Sequence, residues 1–227
     1  MTPEKLIVFV KAPRIGTVKT RLAESIGAPT ACAAYRQVVA ALLERLQSLP
    51  EVELRFTPDD AVDEIRPWLQ HAWTCQPQGP GALGDRLQNA FAASFAAGAT
   101  NVVIIGSDCP SVTTEDIRRA CAALLTNDVV LGPAADGGYW LIGLRQPQPN
   151  LFQGISWSTD SVFADTIAHA RNAGLSVEVL RELEDVDTAE DWRRFLSRQD
   201  LGHSSQRGRR QFPLPGGEGQ GEGEPIL

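Results

Sequence analysis

The sequence predicts an α/β protein built on a mostly parallel sheet. Strand-like and helix-like segments alternate along most of the chain. KLIVFV (5–10) and NVVIIG (101–106) are continuously apolar, as strands are when helices cover both faces of a sheet. DVVLGP (128–133) and YWLIGL (139–144) lie too close together for a helical crossover between them. That spacing predicts one antiparallel element in an otherwise parallel, mixed sheet.

In chain order, strand 5–10 is followed by a helix over about 29–48, in PTACAAYRQVVAALLERLQSL. VELRF (52–56) is a second strand, and AVDEIRPWL (61–69) a short helix kinked at Pro67. ALGDRLQNAFAASFAAG (82–98) is a helix ended by Gly98. After strand 101–106, TTEDIRRACAALL (113–125) is a helix with Thr113 or Thr114 as cap and acids in its first turn. The two close strands follow, then helix 161–174, strand VEVL (177–180) and a last helix, TAEDWRRFLSR (188–198).

The chain has 227 residues, 43% of them apolar, which suits one α/β domain with a sizeable core. The boundary is expected at residue 199. Residues 200–227 hold seven of the 20 glycines and few core-forming residues, which predicts a disordered Gly/Pro-rich tail. A net charge of -7 excludes general nucleic-acid binding, which needs a basic footprint. No run is long enough to span a membrane, and the N-terminus lacks the marks of a secretory signal, so the expected location is cytoplasmic. Cys32, Cys75, Cys109 and Cys121 form no metal-binding spacing and read as reduced thiols.

Five stretches carry candidate chemistry. KAPRIGTVKTRL (11–22) follows the first strand and gathers Lys11, Arg14, Lys19 and Arg21 around Gly16. Basic side chains there can hold phosphates, although the loop is neither a GxGxxG nor a Walker sequence. GSDCPS places Asp108 at the carboxyl end of a strand, where a carboxylate either caps a helix or holds magnesium or manganese. In AADGGYW, Asp136 precedes Gly137 and Gly138, which make a hairpin turn or let backbone approach a substrate; Asp136 would then contact an acceptor hydroxyl. In LEDVDTAEDW, Thr188 and Asp191 resemble a capping box, which leaves Asp185 and Asp187 unexplained by the cap. QGPGALGDRL enters a helix through Gly79, Gly81 and Gly84, as a plain flexible loop or a loop lying close to a base or ribose.

Taken together, FVKAPRIGTVKTRLA, QGPGALGDRL, GSDCPS, GPAADGGYWLIGL, LFQGISWST and DVDTAEDW resemble one bacterial family over residues 5–196. Its members are described as nucleotide-diphospho-sugar transferase-like, or as glycosyltransferases linked in some cases to arsenosugar biosynthesis. The family is similar to GT-A-type glycosyltransferases and sugar-activating nucleotidyltransferases. The resemblance implies a Rossmann-like, three-layer α/β/α sandwich that binds a nucleoside diphosphate sugar, or an NTP, with Mg2+ or Mn2+. Asp108 matches the metal-binding acidic position, though SDC stands where many glycosyltransferases have DxD. Asp187 matches the late aspartate that completes the metal site. Lys11, Arg14, Lys19, Arg21, Gly79 and Gly81 are the expected nucleotide-binding residues, and Asp136 the expected catalytic one. The implied activity is sugar transfer to a small-molecule acceptor, with nucleotidyl transfer to a sugar phosphate or small phosphorylated acid as the alternative. The sequence leaves open whether the chain forms a homodimer.

Overall fold

In the computed structural model, residues 4–207 are described, those from 200 onward by their backbone alone. The strands are β1 Glu4–Lys11, β2 Val52–Thr57, β3 Thr74–Pro77, β4 Asn101–Gly106, β5 Val129–Pro133, β6 Tyr139–Leu144 and β7 Val177–Val179. The helices are α1 Thr20–Ile26, α2 Ala28–Leu46, α3 Val62–Ile65, α4 Leu83–Ala96, α5 Thr114–Ala123, α6 Val162–Asn172 and α7 Ala189–Arg207. All seven strands form one sheet in the order β3-β2-β1-β4-β6-β5-β7. β6 runs antiparallel to both of its neighbours, and every other pairing is parallel. This is the mixed sheet that the close spacing of β5 and β6 predicts.

The strand pleat sorts the core into two layers. Leu6, Val8 and Val10 of β1 join Val103 and Ile105 of β4 against Tyr35, Val39 and Leu42 of α2 and Ile117 of α5. Ile7 and Phe9 point the other way with Val102 and Ile104, onto Leu87 and Phe91 of α4 and Ala170 of α6. A strand with two apolar faces needs an apolar residue at every position, and so reads as a continuous run.

Some elements depart from expectation. β3 is a four-residue, mostly exposed edge strand, TCQP, with too little apolar character to register in the sequence. α1 starts within the basic motif and is separated from α2 by one residue, Gly27, whose φ of 82° favours glycine. α3 is shorter than expected and passes into a 3-10 turn at Arg66–Trp68, where Pro67 sits. α7 continues to Arg207, so the boundary expected at 199/200 falls within it; residues 208–227, the bulk of the expected tail, lie outside the described residues. The chain divides into compact units after Trp192, and all seven strands belong to the first.

Both predicted caps form. Thr113 Oγ1 accepts from the Asp116 N–H at 3.3 Å while Asp116 accepts from the Thr113 N–H at 2.8 Å. Thr188 and Asp191 repeat the arrangement at α7, at 3.3 and 2.8 Å.

One charged cluster is buried under β1 and β2. Glu53 accepts from Arg55 Nε at 2.6 Å and from Lys5 Nζ at 3.0 Å. Burial pushes the Glu53 carboxyl up, but hydrogen bonds from Arg55 and Lys5 outweigh it and hold the group below its ordinary 4.5. A carboxyl depressed by folding adds stability that is complete above its unfolded value and is lost as pH falls through the lower native one. Glu53→Gln is therefore expected to flatten the acid side of a plot of urea midpoint against pH, below about pH 4.5, where the wild type loses stability.

Candidate functional site

The carboxyl ends of the strands and their following loops enclose a cleft of about 790 Å³. Its charges are sorted along the sheet. Lys11 ends β1, Lys19 and Arg21 stand at the start of α1, and Arg86 projects from α4. Asp136 and Asp160 line the opposite part, which lies over β6 and β5, and Asp108, Asp185 and Asp187 line the region between.

The centre is the contact between the basic loop and the end of β4. Lys19 Nζ donates to Asp108 Oδ1. The lysine side chain is only 4% exposed, while that of Asp108 is 54% exposed, so one end of the pair is fixed and the other faces the cleft. Lys19 also has φ 49°, a left-handed conformation that is uncommon for a residue with a β-carbon. Asp187 Oδ2 accepts from Arg21 Nη1 at 3.2 Å. The Val186 N–H donates to the Asp108 carbonyl at 2.9 Å, which brings the 185–187 segment beside the end of β4. Asp108 and Asp187, 79 residues apart in sequence, thus share one cleft.

Asp185 lies with them and is half-buried; burial, then the charge of Asp136, raises its carboxyl above the usual range. Asp136 Oδ1 accepts from the Gly138 N–H at 2.9 Å, closing the turn between β5 and β6. Cys109 is buried, and its thiol is pushed up mainly by burial and then by Asp185 and Asp108, which makes it an inert core group.

The described residues hold no set of three or more His, Cys, Asp or Glu arranged as a metal cage. Two carboxylates on one cleft wall beside basic side chains nevertheless fit magnesium or manganese, which commonly take one or two carboxylates and complete their shell with substrate phosphates. The oxygen-only donor set fits the same ions.

Not every expected residue lines the cleft. Arg14 donates from Nε and Nη2 to Glu64 at 2.8 and 2.6 Å and from Nη2 to Asp60 at 3.1 Å, outside it. Gly79 and Gly81 are not on its wall either: the Gly79 N–H donates to Asp59 at 3.2 Å, and Gly81 packs on Asp85. Gly137 faces protein: a β-carbon there would meet the Asp160 carbonyl oxygen at 2.2 Å, and φ is +88°. Lys11, Lys19, Arg21, Asp108, Asp136 and Asp187 all line the cleft. Sequence reasoning passed over Gln78, Arg86, Trp157 and Asp160. Gln78 and Arg86 lie in QGPGALGDRL, where the glycines drew the reading; Trp157 lies in LFQGISWST and Asp160 directly after it. Trp157 packs on α4 where Gly84 leaves room; a β-carbon at 84 would stand 2.8 Å from the indole nitrogen.

Residues 37–159 match a bacterial family described as an uncharacterised protein conserved in bacteria, DUF2064. A provisionally assigned nucleotide-diphospho-sugar transferase from Desulfovibrio desulfuricans G20 is 34% identical and superposes with a TM-score of 0.80, over 91% of each chain. The chain belongs to this family of nucleotide-diphospho-sugar transferase-like proteins. Two more distant structures share its fold. A 4-diphosphocytidyl-2C-methyl-D-erythritol synthase from Anaerococcus prevotii DSM 20548 has 12% identity and a TM-score of 0.56, over 88% of this chain and 99% of that one. Rv0371c from Mycobacterium tuberculosis H37Rv, in complex with manganese, has 17% identity and a TM-score of 0.51, over 86% and 99%. No curated protein sequence matches the chain. The family has the Rossmann-like α/β/α architecture and the transferase class of its 34% identical relative, and among the described residues no helix is long and apolar enough to cross a membrane.

Proposed function

We propose that the chain is a glycosyltransferase that moves a sugar from a nucleoside diphosphate sugar to a hydroxyl of a small acceptor. The observation that carries this reading is the separation of charge along the cleft. Lys11, Lys19 and Arg21 offer positive groups to a diphosphate. Asp136 and Asp160 line the part where the second substrate would sit, and Asp185 borders it. A neutral hydroxyl tolerates those carboxylates and needs one of them as base. A sugar phosphate or phosphorylated acid is already an anion and would be repelled, which disfavours nucleotidyl transfer.

In this reading the acceptor oxygen attacks the anomeric carbon as its bond to the diphosphate oxygen breaks. Asp136 orients the acceptor hydroxyl and takes its proton. Lys19 and Arg21 stabilise charge as it builds on the leaving diphosphate, with Lys11 extending that field. Asp108 and Asp187 would hold Mg2+ or Mn2+, which when bound supplies Lewis-acid stabilisation of the leaving group. Asp108 also keeps the Lys19 ammonium in place. The four free cysteines, three of them buried, support a reducing, cytoplasmic setting.

Nucleotidyl transfer is the second reading, favoured by the fold shared with the erythritol cytidylyl synthase. Incubation with manganese, a panel of nucleotide sugars and polyhydroxy acceptors is expected to release nucleoside diphosphate. Pyrophosphate release from an NTP and a sugar phosphate, with no diphosphate release, would replace the first reading by the second.

A further inference from the structure

Arg86 is the cleft cation that no mechanistic step above uses. Its Nε donates to the Gly81 carbonyl at 2.9 Å, and Nη1 reaches Gln78 Oε1 at 3.4 Å and Thr57 Oγ1 at 3.5 Å. All three acceptors are neutral. Among the described residues no carboxylate pairs with this guanidinium, and Nη2 donates to nothing. Arg21, in contrast, is paired with Asp187. A guanidinium on a cleft wall without a counter-charge is available to a ligand.

Its orientation is fixed from below. Gln78 is 6% exposed, and its main-chain N–H donates to the Phe56 carbonyl at 2.8 Å. Its side-chain Nε2 gives hydrogens to the carbonyls of Val10 at 3.1 Å and Arg55 at 3.0 Å. With both amide hydrogens used, Oε1 must face the other way, toward Arg86. The Gln78 amide bridges Val10 of β1 and Arg55 of β2, and Thr57 ends β2, so Arg86 stands over the β1–β2 side of the cleft. Asp108, with Lys19 on it, follows β4. The separation is one to two strand spacings, about 5–10 Å, a span that fits a nucleoside extending away from its phosphates.

We propose that Arg86, held by Gln78, reads the nucleobase of the bound nucleotide and selects a base with adjacent carbonyl-oxygen and ring-nitrogen acceptors over adenine. The inference rests on the nucleotide-binding reading of the cleft and adds the base to it. A planar guanidinium presents parallel N–H donors. Guanine offers O6 and N7 to such a pair, and cytosine O2 and N3. Adenine sets an amino donor beside its ring nitrogen, so one donor meets another. Arg86 is thus a specificity residue, and Gln78 a positioning residue that acts through it.

The test is calorimetric titration of the full chain with GTP, CTP, UTP, ATP and inorganic tripolyphosphate, in manganese. GTP or CTP is expected to bind about tenfold or more tighter than ATP. Arg86→Ala and Arg86→Lys should each bring the preferred nucleotide to the ATP level and change tripolyphosphate affinity less than about twofold, since the base contact is lost and the phosphate contacts are not. Gln78→Met should shrink the base preference with the far-ultraviolet circular dichroism and tripolyphosphate affinity unchanged. Equal affinity for all four nucleotides, or a preference that survives in Arg86→Ala or Arg86→Lys, overturns the proposal and leaves the nucleotide site standing. So does tripolyphosphate affinity that falls with Arg86→Ala, which would make the residue a phosphate ligand. Failure of every nucleotide to bind overturns the proposal and the nucleotide reading together.

Discussion

Replacing Asp108 with asparagine is expected to lower transfer about a hundredfold or more, with little change in stability. The carboxylate has two tasks that the substitution separates. Toward the cleft it is 54% exposed, and there it supplies the negative charge that would hold a divalent cation beside the substrate phosphates. Toward the protein it accepts from Lys19, whose side chain is 4% exposed. An asparagine carbonyl still accepts that hydrogen bond, so the urea-unfolding free energy should move by less than about 1 kcal/mol. Asp108→Ala removes the acceptor as well and is expected to cost about 2 kcal/mol, less than for a fully buried pair because water reaches the Asp108 side. Turnover and urea melts on both variants make the comparison. Full metal-dependent turnover in Asp108→Asn would remove the residue from the chemistry.

Gly137→Ala, in the turn behind the cleft, is expected to destabilise the protein by about 3 kcal/mol or more. Two costs add. The left-handed backbone at φ +88° costs a residue with a β-carbon about 1–2 kcal/mol. The β-carbon would also stand 2.2 Å from the Asp160 carbonyl oxygen and 2.5 Å from its α-carbon, both backbone atoms. Phe163 N–H donates to the Gly137 carbonyl at 2.9 Å, so relieving the clash means loosening the start of α6. For a chain of this size the loss corresponds to a fall in Tm of about 6–12 °C. A melting temperature within about 2 °C of wild type would show that the hairpin and the 158–163 segment can part at little cost.

The strands with two apolar faces were legible because burial on both sides leaves an unbroken apolar run. β3 was not, because a short edge strand needs neither alternation nor apolar residues. Asp108 and Asp187 could be located because each interrupts a pattern: one follows a buried strand and the other is surplus to a cap. Arg14 could not be separated from Lys19 in the sequence. Its acidic partner Glu64 lies 50 residues away, and only the packing of α3 beside the basic loop brings them together. The glycines divide. Gly79 and Gly81 shape the entry to α4 without lining the cleft, and Gly137 takes the hairpin-turn reading and makes room for Asp160. In QGPGALGDRL the informative residues are the polar ones at either end, Gln78 and Arg86, whose connection depends on which carbonyls the Gln78 amide finds in the fold.

Trp157, half-buried on the rim of the cleft against Gly84, gives the molecule an optical reporter of its own. A ligand that fills the cleft strips water from this indole, and its emission should move to the blue. Trp140, 2% exposed with its ring nitrogen on the Arg181 carbonyl, has almost no water to lose. Occupancy can therefore be followed by native fluorescence on unlabelled protein.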